Sequence, residues 1–111
     1  MLSVAAVQAR EEAPTVPTVS VAALPAEAQS VERAIRSGGP FAFPKDGIVF
    51  ANRERLLPEQ WRGFYREYTV ATPGAPDRGG RRIVCGGPQS TAPLACYYTF
   101  DHYASFRRIT P

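Results

Sequence analysis

One histidine occurs in the 111 residues, and it sits near the end of the chain in Thr99-Phe100-Asp101-His102-Tyr103-Ala104-Ser105-Phe106. It is the one side chain whose unperturbed titration falls near neutral pH. Upstream, Glu67 lies in the strand-like Tyr65-Arg66-Glu67-Tyr68-Thr69-Val70, and Arg78, Arg81 and Arg82 cluster in one turn. A carboxylate, an imidazole and several guanidinium groups can cleave RNA without a metal. The carboxylate takes the proton of a 2′-hydroxyl, the imidazolium gives one to the leaving 5′-oxygen, and arginines stabilise the charged phosphorane. Each residue also has a plainer reading. Glu67 could be a solvated strand glutamate, His102 an incidental surface histidine, and Arg78-Gly79-Gly80-Arg81-Arg82 a basic turn in water. A metal site is not indicated, because one histidine and two cysteines placed to face each other leave no ligand set.

These residues need elements to position them. Leu24, Ala28, Val31 and Ile35 form a helical stripe over 24–36, with Pro25 tolerated in the first turn and Ser37-Gly38-Gly39-Pro40 ending it. After Phe41 the chain reads as short strands and turns, with strands over 64–71, 81–85, 96–100 and 105–109. Strands joined by short turns without helices imply an antiparallel sheet. The expected fold is α+β, one N-terminal helix packed on a small antiparallel sheet. Alternation puts Glu67 on one face with Tyr65 and Thr69, and Tyr68 and Val70 on the other with Phe64. The same alternation separates Arg82 from Arg81.

Composition narrows the class. The balance is +3, with 12 arginines and a single lysine, and outside the first 20 residues 12 basic side chains face 8 acidic ones. The guanidinium fork suits phosphate, although a modest basic excess is common in proteins that never meet nucleic acid. Nine glycines and eleven prolines suit a loop-rich single domain. No apolar run is long enough to span a membrane. Residues 1–18 read as a flexible tail, and 19–111 as the folded domain. Leu2 to Val7 is apolar and Val7-Gln8-Ala9 is like a small-residue cleavage site, so the tail is either a signal remnant or simply a disordered start. Cys85 and Cys96 flank a turn between two strands, which favours a disulfide and an oxidising compartment over two ordinary thiols.

Five blocks in order resemble the small secreted microbial guanyl-specific ribonucleases, the barnase relatives, and particularly the RNase Sa type. They are Asp46-Gly47-Ile48-Val49-Phe50-Ala51-Asn52-Arg53-Glu54, Glu67-Tyr68-Thr69-Val70, Thr72-Pro73-Gly74-Ala75, Arg78-Gly79-Gly80-Arg81-Arg82-Ile83 and Asp101-His102-Tyr103-Ala104-Ser105-Phe106. The resemblance runs from about Val21 to Ile109. It implies Glu67 as general base, His102 as general acid, and Arg78 and Arg82 as phosphate ligands. Tyr103 would bond the phosphate through its hydroxyl. The loop Phe50, Ala51, Asn52, Arg53 and Glu54 would read guanine: backbone N–H groups donate to O6, Glu54 accepts from N1–H and the exocyclic amine, and Phe50 offers a ring for stacking unless it belongs to the core.

The implied activity is endonucleolytic cleavage of single-stranded RNA 3′ to guanosine through a 2′,3′-cyclic phosphate. No cofactor enters, and the protein would be a secreted monomer. The alternative is an inactive RNA-binding or interaction module on the same fold. A barstar-like acidic inhibitor is the partner the family suggests, and a free enzyme or the toxin part of a larger protein both remain open. Two departures stand out. The family often ties its chain ends with a disulfide, whereas here both cysteines bracket one turn. Ala51 stands where a larger side chain is common, which implies weaker closure over the base.

Overall fold

The computed structural model describes residues 15–111. The expected tail therefore lies largely outside the described residues, as does the signal-like segment 2–9. Helix α1 (Ala26–Ser37) buries Ala28 and Ile35. Pro25 precedes it, and its carbonyl accepts from Ala28 and Gln29 at 2.9 and 3.0 Å. Gly38 ends it in the left-handed conformation at φ 85°, and the N–H of Gly39 closes back on the Ala34 carbonyl at 2.9 Å. That is the stop the Gly-Gly-Pro sequence implies.

The sheet has six strands in the order β1-β6-β5-β4-β3-β2. They are β1 (Thr18–Ser20), β2 (Ile48–Val49), β3 (Tyr65–Thr69), β4 (Arg82–Gly86), β5 (Ala95–Thr99) and β6 (Arg107–Thr110). Strands β2 to β6 pair antiparallel. The expected antiparallel sheet with a packed helix is present, and one parallel edge pair adds to it: β1 joins β6, Val19 opposite Ile109. Thr18, placed in the tail from sequence, is thus part of the sheet. No helix among the described residues is long and apolar enough to cross a membrane.

The sheet separates two apolar clusters. On the helix side, Leu24, Ala28 and Ile35 pack on Tyr68, Val70, Ile83, Cys85, Cys96 and Tyr98. On the other side lie Leu57, Tyr65, Val84, Tyr97 and Phe106. The alternation of β3 holds for Tyr65 and Tyr68. Phe64 departs from it: it precedes the strand and packs with the Tyr65 cluster. Each fully buried Val or Ile here stabilises by about 1.5–3 kcal/mol relative to exposure.

Cys85 and Cys96 are directly opposed in the β4–β5 register, 4.0 Å apart at Cα, and form a disulfide. It clamps the hairpin whose free ends carry Arg82 and the turn to His102.

Candidate active site

A groove of about 760 Å³ opens on the sheet face away from α1. Phe50, Ala51, Asn52, Arg53 and Glu54 form one wall, and His102 and Tyr103 another, with Glu67 between them. Eight of the ten residues singled out from sequence therefore line one space. Arg78 and Arg82 flank it: Arg78 through contact with Glu67, and Arg82 beneath Tyr103.

Glu67 sits mid-way along β3, and its backbone is fixed on both sides. Its carbonyl accepts from Gly47 at 2.8 Å, and Val84 of β4 lies opposite. Asp46 reinforces this edge by accepting the Thr69 N–H at 2.7 Å. On the groove side the Glu67 carboxylate accepts the Tyr103 hydroxyl at 2.5 Å and stands 3.8 Å from the Arg78 guanidinium. Arg78 is itself aimed by two bonds to the Thr69 hydroxyl, 2.7 and 3.1 Å. The Thr69 contribution was not anticipated. Its signal was available, since Thr69 shares the Glu67 face of the strand.

Arg82 begins β4, is 2% exposed, and gives two bonds to the carbonyls of Gly79 and Arg81. Its guanidinium carbon lies 5.9 Å from the centre of the Tyr103 ring. Its Nε is buried without a partner among the described residues. An orphaned buried donor is costly in a folded protein. Arg81 points to the other side, where it bonds the Tyr98 hydroxyl, the Ala71 carbonyl and Glu27 of α1. Only Arg82 of this pair belongs to the groove.

The turn bearing His102 is held by its neighbours. Both His102 and Tyr103 have positive φ, 55° and 75°. Such geometry in two consecutive non-glycine residues costs energy and persists only when the surroundings impose it. Here Asp101 accepts from Thr99, from the Ser105 N–H and from the Ser105 hydroxyl at 2.7–3.0 Å. The Thr99 hydroxyl accepts the Tyr103 N–H at 3.1 Å. From the opposite side the His102 N–H donates to the Gly80 carbonyl at 2.8 Å. The preceding Gly79 makes a close approach of its own, to Thr72. Gly79 has φ +67°, and a Cβ there would lie 2.5 Å from the Thr72 hydroxyl. His102 itself is exposed to the groove. Burial raises the Asp101 carboxyl's affinity for a proton, but the bonds from Ser105 and Thr99 outweigh it and hold the pKa below its ordinary value.

The Tyr103 hydroxyl is engaged by Glu67. Burial first, and then its bond to Glu67 and that residue's charge, push its pKa up to about 12. It therefore remains a donor throughout the neutral range.

The wall 50–54 presents its backbone to the groove. The Asn52 side chain is turned back, donating to the Leu57 carbonyl at 3.0 Å and accepting the Leu57 N–H at 3.2 Å. Asn52 adopts φ 55°, which asparagine tolerates better than most residues. Among the described residues no acceptor takes the N–H groups of Asn52, Arg53 or Glu54. Phe50 lies between the core and the groove. It packs at the margin of the Tyr65 cluster, and its ring lies 5.1 Å from that of Tyr103 at the groove.

The sequence profile of the ribonuclease family matches residues 7–110. The chain belongs to the ribonuclease family. Within it, this ribonuclease is of the microbial guanyl-specific Sa type. The guanyl-specific ribonuclease Sa of Kitasatospora aureofaciens is 52% identical over 92 residues, 83% of this chain and 92% of its own. Sa3 of the same organism is 52% identical over 91 residues, but this chain spans only 62% of its length. Guanyl-specific ribonuclease St of Saccharopolyspora erythraea is 48% identical over 89 residues, covering 80% of this chain and 83% of its own. Among solved structures, ribonuclease Sa2 in complex with mononucleotides superposes with a TM-score of 0.81 at 43% identity, covering 88% of this chain and 97% of that one. Sa2 with guanosine-2′-cyclophosphate gives a TM-score of 0.79 at 42% identity, covering 87% and 98%.

Proposed function

We propose that this ribonuclease cleaves single-stranded RNA on the 3′ side of guanosine. The observation that carries the reading is the single groove in which Glu67, His102 and the backbone wall 50–54 meet. The names of the Sa-type relatives, and an Sa2 structure holding a guanosine cyclic phosphate, support the same base.

The guanine edge lies against 50–54, with its O6 on the unpaired N–H groups and its N1–H and amine on Glu54. Glu67 removes the 2′-hydroxyl proton as that oxygen attacks phosphorus. The bond from phosphorus to the 5′-oxygen breaks, and His102 supplies the proton to the leaving oxygen. The product is a 2′,3′-cyclic phosphate. Water then opens it with the two roles reversed. Arg78 stands on the phosphate side of Glu67, and the orphaned Arg82 Nε provides a donor for a phosphoryl oxygen. Once Glu67 carries the 2′-proton it no longer needs the Tyr103 proton, and that hydroxyl can turn to the phosphorane. The 2′-hydroxyl is the nucleophile, so the scheme calls for no cofactor. The hairpin disulfide supports action outside the cell.

Defined dinucleotides test this reading. Glu67→Gln and His102→Ala should each slow GpN cleavage about 10²–10⁴-fold, the usual worth of a positioned proton-transfer group. Glu54→Ala should lower kcat/KM on GpN while barely changing the poor rate on ApN. Adenine already sets an acceptor against that carboxylate, where guanine sets a donor. A Glu54 variant that keeps its guanine preference would refute the assignment of the wall 50–54. Intact RNA retained by the wild-type protein would mark a binding module instead.

A further inference from the structure

A second cavity, about 510 Å³, lies on the outer side of the same wall. Residues 49–53 line both cavities, so the two stand back to back. The outer one is bounded by Arg53, Arg55, Trp61 and Arg62, with Tyr65 at its base. Glu59 is the one carboxylate in its lining. The three ion pairs found among the described residues involve none of these arginines.

Trp61 is 57% exposed, yet it is not loose. The Phe64 N–H closes a turn onto the Trp61 carbonyl at 3.0 Å. The indole meets the Phe64 ring edge-on at 5.3 Å, and Phe64 meets Tyr65 edge-on at 5.0 Å. Tyr65 is buried, and its hydroxyl donates to the Pro58 carbonyl at 2.6 Å. A ladder of rings thus runs from the core to a tryptophan in solvent, among three free cations. A fixed, exposed aromatic beside cationic groups is how proteins stack and hold single-stranded nucleic acid.

Strand β3 gives the polarity. Thr69, at one end, holds Arg78 on the phosphate side. Glu67 is central, and Tyr65, at the other end, faces the Trp61 cavity. At about 3.3 Å per residue these ends are about 13 Å apart. In the proposed reaction the scissile phosphate, 3′ of guanosine, lies toward Arg78, which leaves the Trp61 side to the chain departing from the guanosine 5′-oxygen. We infer that the Trp61 cavity is a subsite for the nucleotide immediately 5′ of the guanosine, its base stacked on Trp61 and its phosphate met by Arg53, Arg55 and Arg62. This rests on the guanosine-specific cleavage proposed above.

The test compares GpU with ApGpU, extended upstream, and GpUpA, extended downstream. Stacking acts equally on bound substrate and transition state, so the gain should appear in KM rather than kcat. The wild type should cleave ApGpU with a KM at least about 5-fold lower than that for GpU, the low end of what one stacked base contributes. Trp61→Ala should abolish most of that gain, Trp61→Phe should keep part of it, and both should cleave GpU at the wild-type rate. Arg62→Gln, which leaves the ring ladder intact, should reduce the gain for ApGpU alone. No upstream gain in the wild type, or a gain that survives Trp61→Ala, would overturn the subsite while leaving cleavage at guanosine intact. Trp61 is the single tryptophan, so its fluorescence reports binding without any chemistry. Uncleavable 2′-deoxy ApG should quench it more strongly than 2′-deoxy GpA. Quenching in a protein that fails to cut GpU would refute the catalytic reading and keep the subsite. Equal quenching by the two ligands would refute the subsite.

Discussion

Arg81 and Arg82 are adjacent in sequence and opposite in duty, and one pair of conservative substitutions separates them. Arg82 sits under Tyr103 at the groove, while Arg81 ties β4 to Ala71, Tyr98 and α1. Arg82→Lys keeps the charge but loses the planar fork that can meet two phosphoryl oxygens. It should cut kcat/KM on GpU at least about tenfold, as expected when a fixed electrostatic donor is removed. Arg81→Lys should leave kcat/KM within about twofold and lower Tm instead, since its bonds are structural. Equal kinetic effects would contradict the opposite orientation of the two side chains. This orientation was legible from alternation alone. The back-turned Asn52 side chain was not. Residue type marked it for the loop 50–54, but its bonds to Leu57, five residues on, could not be read from the sequence.

At the scale of elements, the turn that presents His102 is tied to pH through Asp101. Hydrogen bonds from Ser105 and Thr99 depress the Asp101 pKa in the folded protein. A depressed carboxyl contributes stability that is present above its unfolded pKa of about 3.9 and is lost as pH falls through the folded value. Asp101→Asn should therefore lower Tm at pH 7, and the gap to wild type should close as the pH drops below about 4. A gap that stays constant from pH 7 to pH 3 would show that the carboxylate charge has no part in holding the turn. The neighbouring hairpin has its own lock. Removing Cys85–Cys96, 11 residues apart, should cost about 3 kcal/mol in the loop-entropy model, measured by denaturant unfolding of a double serine variant. Strand β4 is buried along its whole length, and the positions of β3, β4 and β5 followed from short apolar and aromatic runs between turn residues. Strand β1 did not, because three residues after a proline carry no period and their partner β6 lies some 90 residues downstream. Strand β2 was hidden because two exposed residues carry no period.

On the scale of the whole molecule, the excess of arginine acquires a location. The net charge of +3 is modest and names no partner by itself. The fold divides the cations: Arg81 is spent on α1, Arg78 stands beside Glu67, Arg82 lies against Tyr103, and Arg53, Arg55 and Arg62 line the far side of the wall 50–54. RNA following this path would meet cations on both sides of the guanosine. Phosphates neutralised by arginine release counterions, so affinity for single strands falls with salt by about 0.7 log units per log unit of salt for each phosphate engaged. GpU has one phosphate, whereas a longer strand can also engage the arginines beyond the wall. The dependence of log KM on log salt should thus be shallow for GpU and steeper for an oligonucleotide extended upstream of guanosine. Arg62→Gln should flatten only the second slope. A downstream extension should steepen the slope less than an upstream one, because the three arginines at Trp61 lie on the 5′ side. Parallel slopes for GpU and the upstream-extended strand would mean that the outer arginines are solvated charges, and that the RNA path ends at the guanosine.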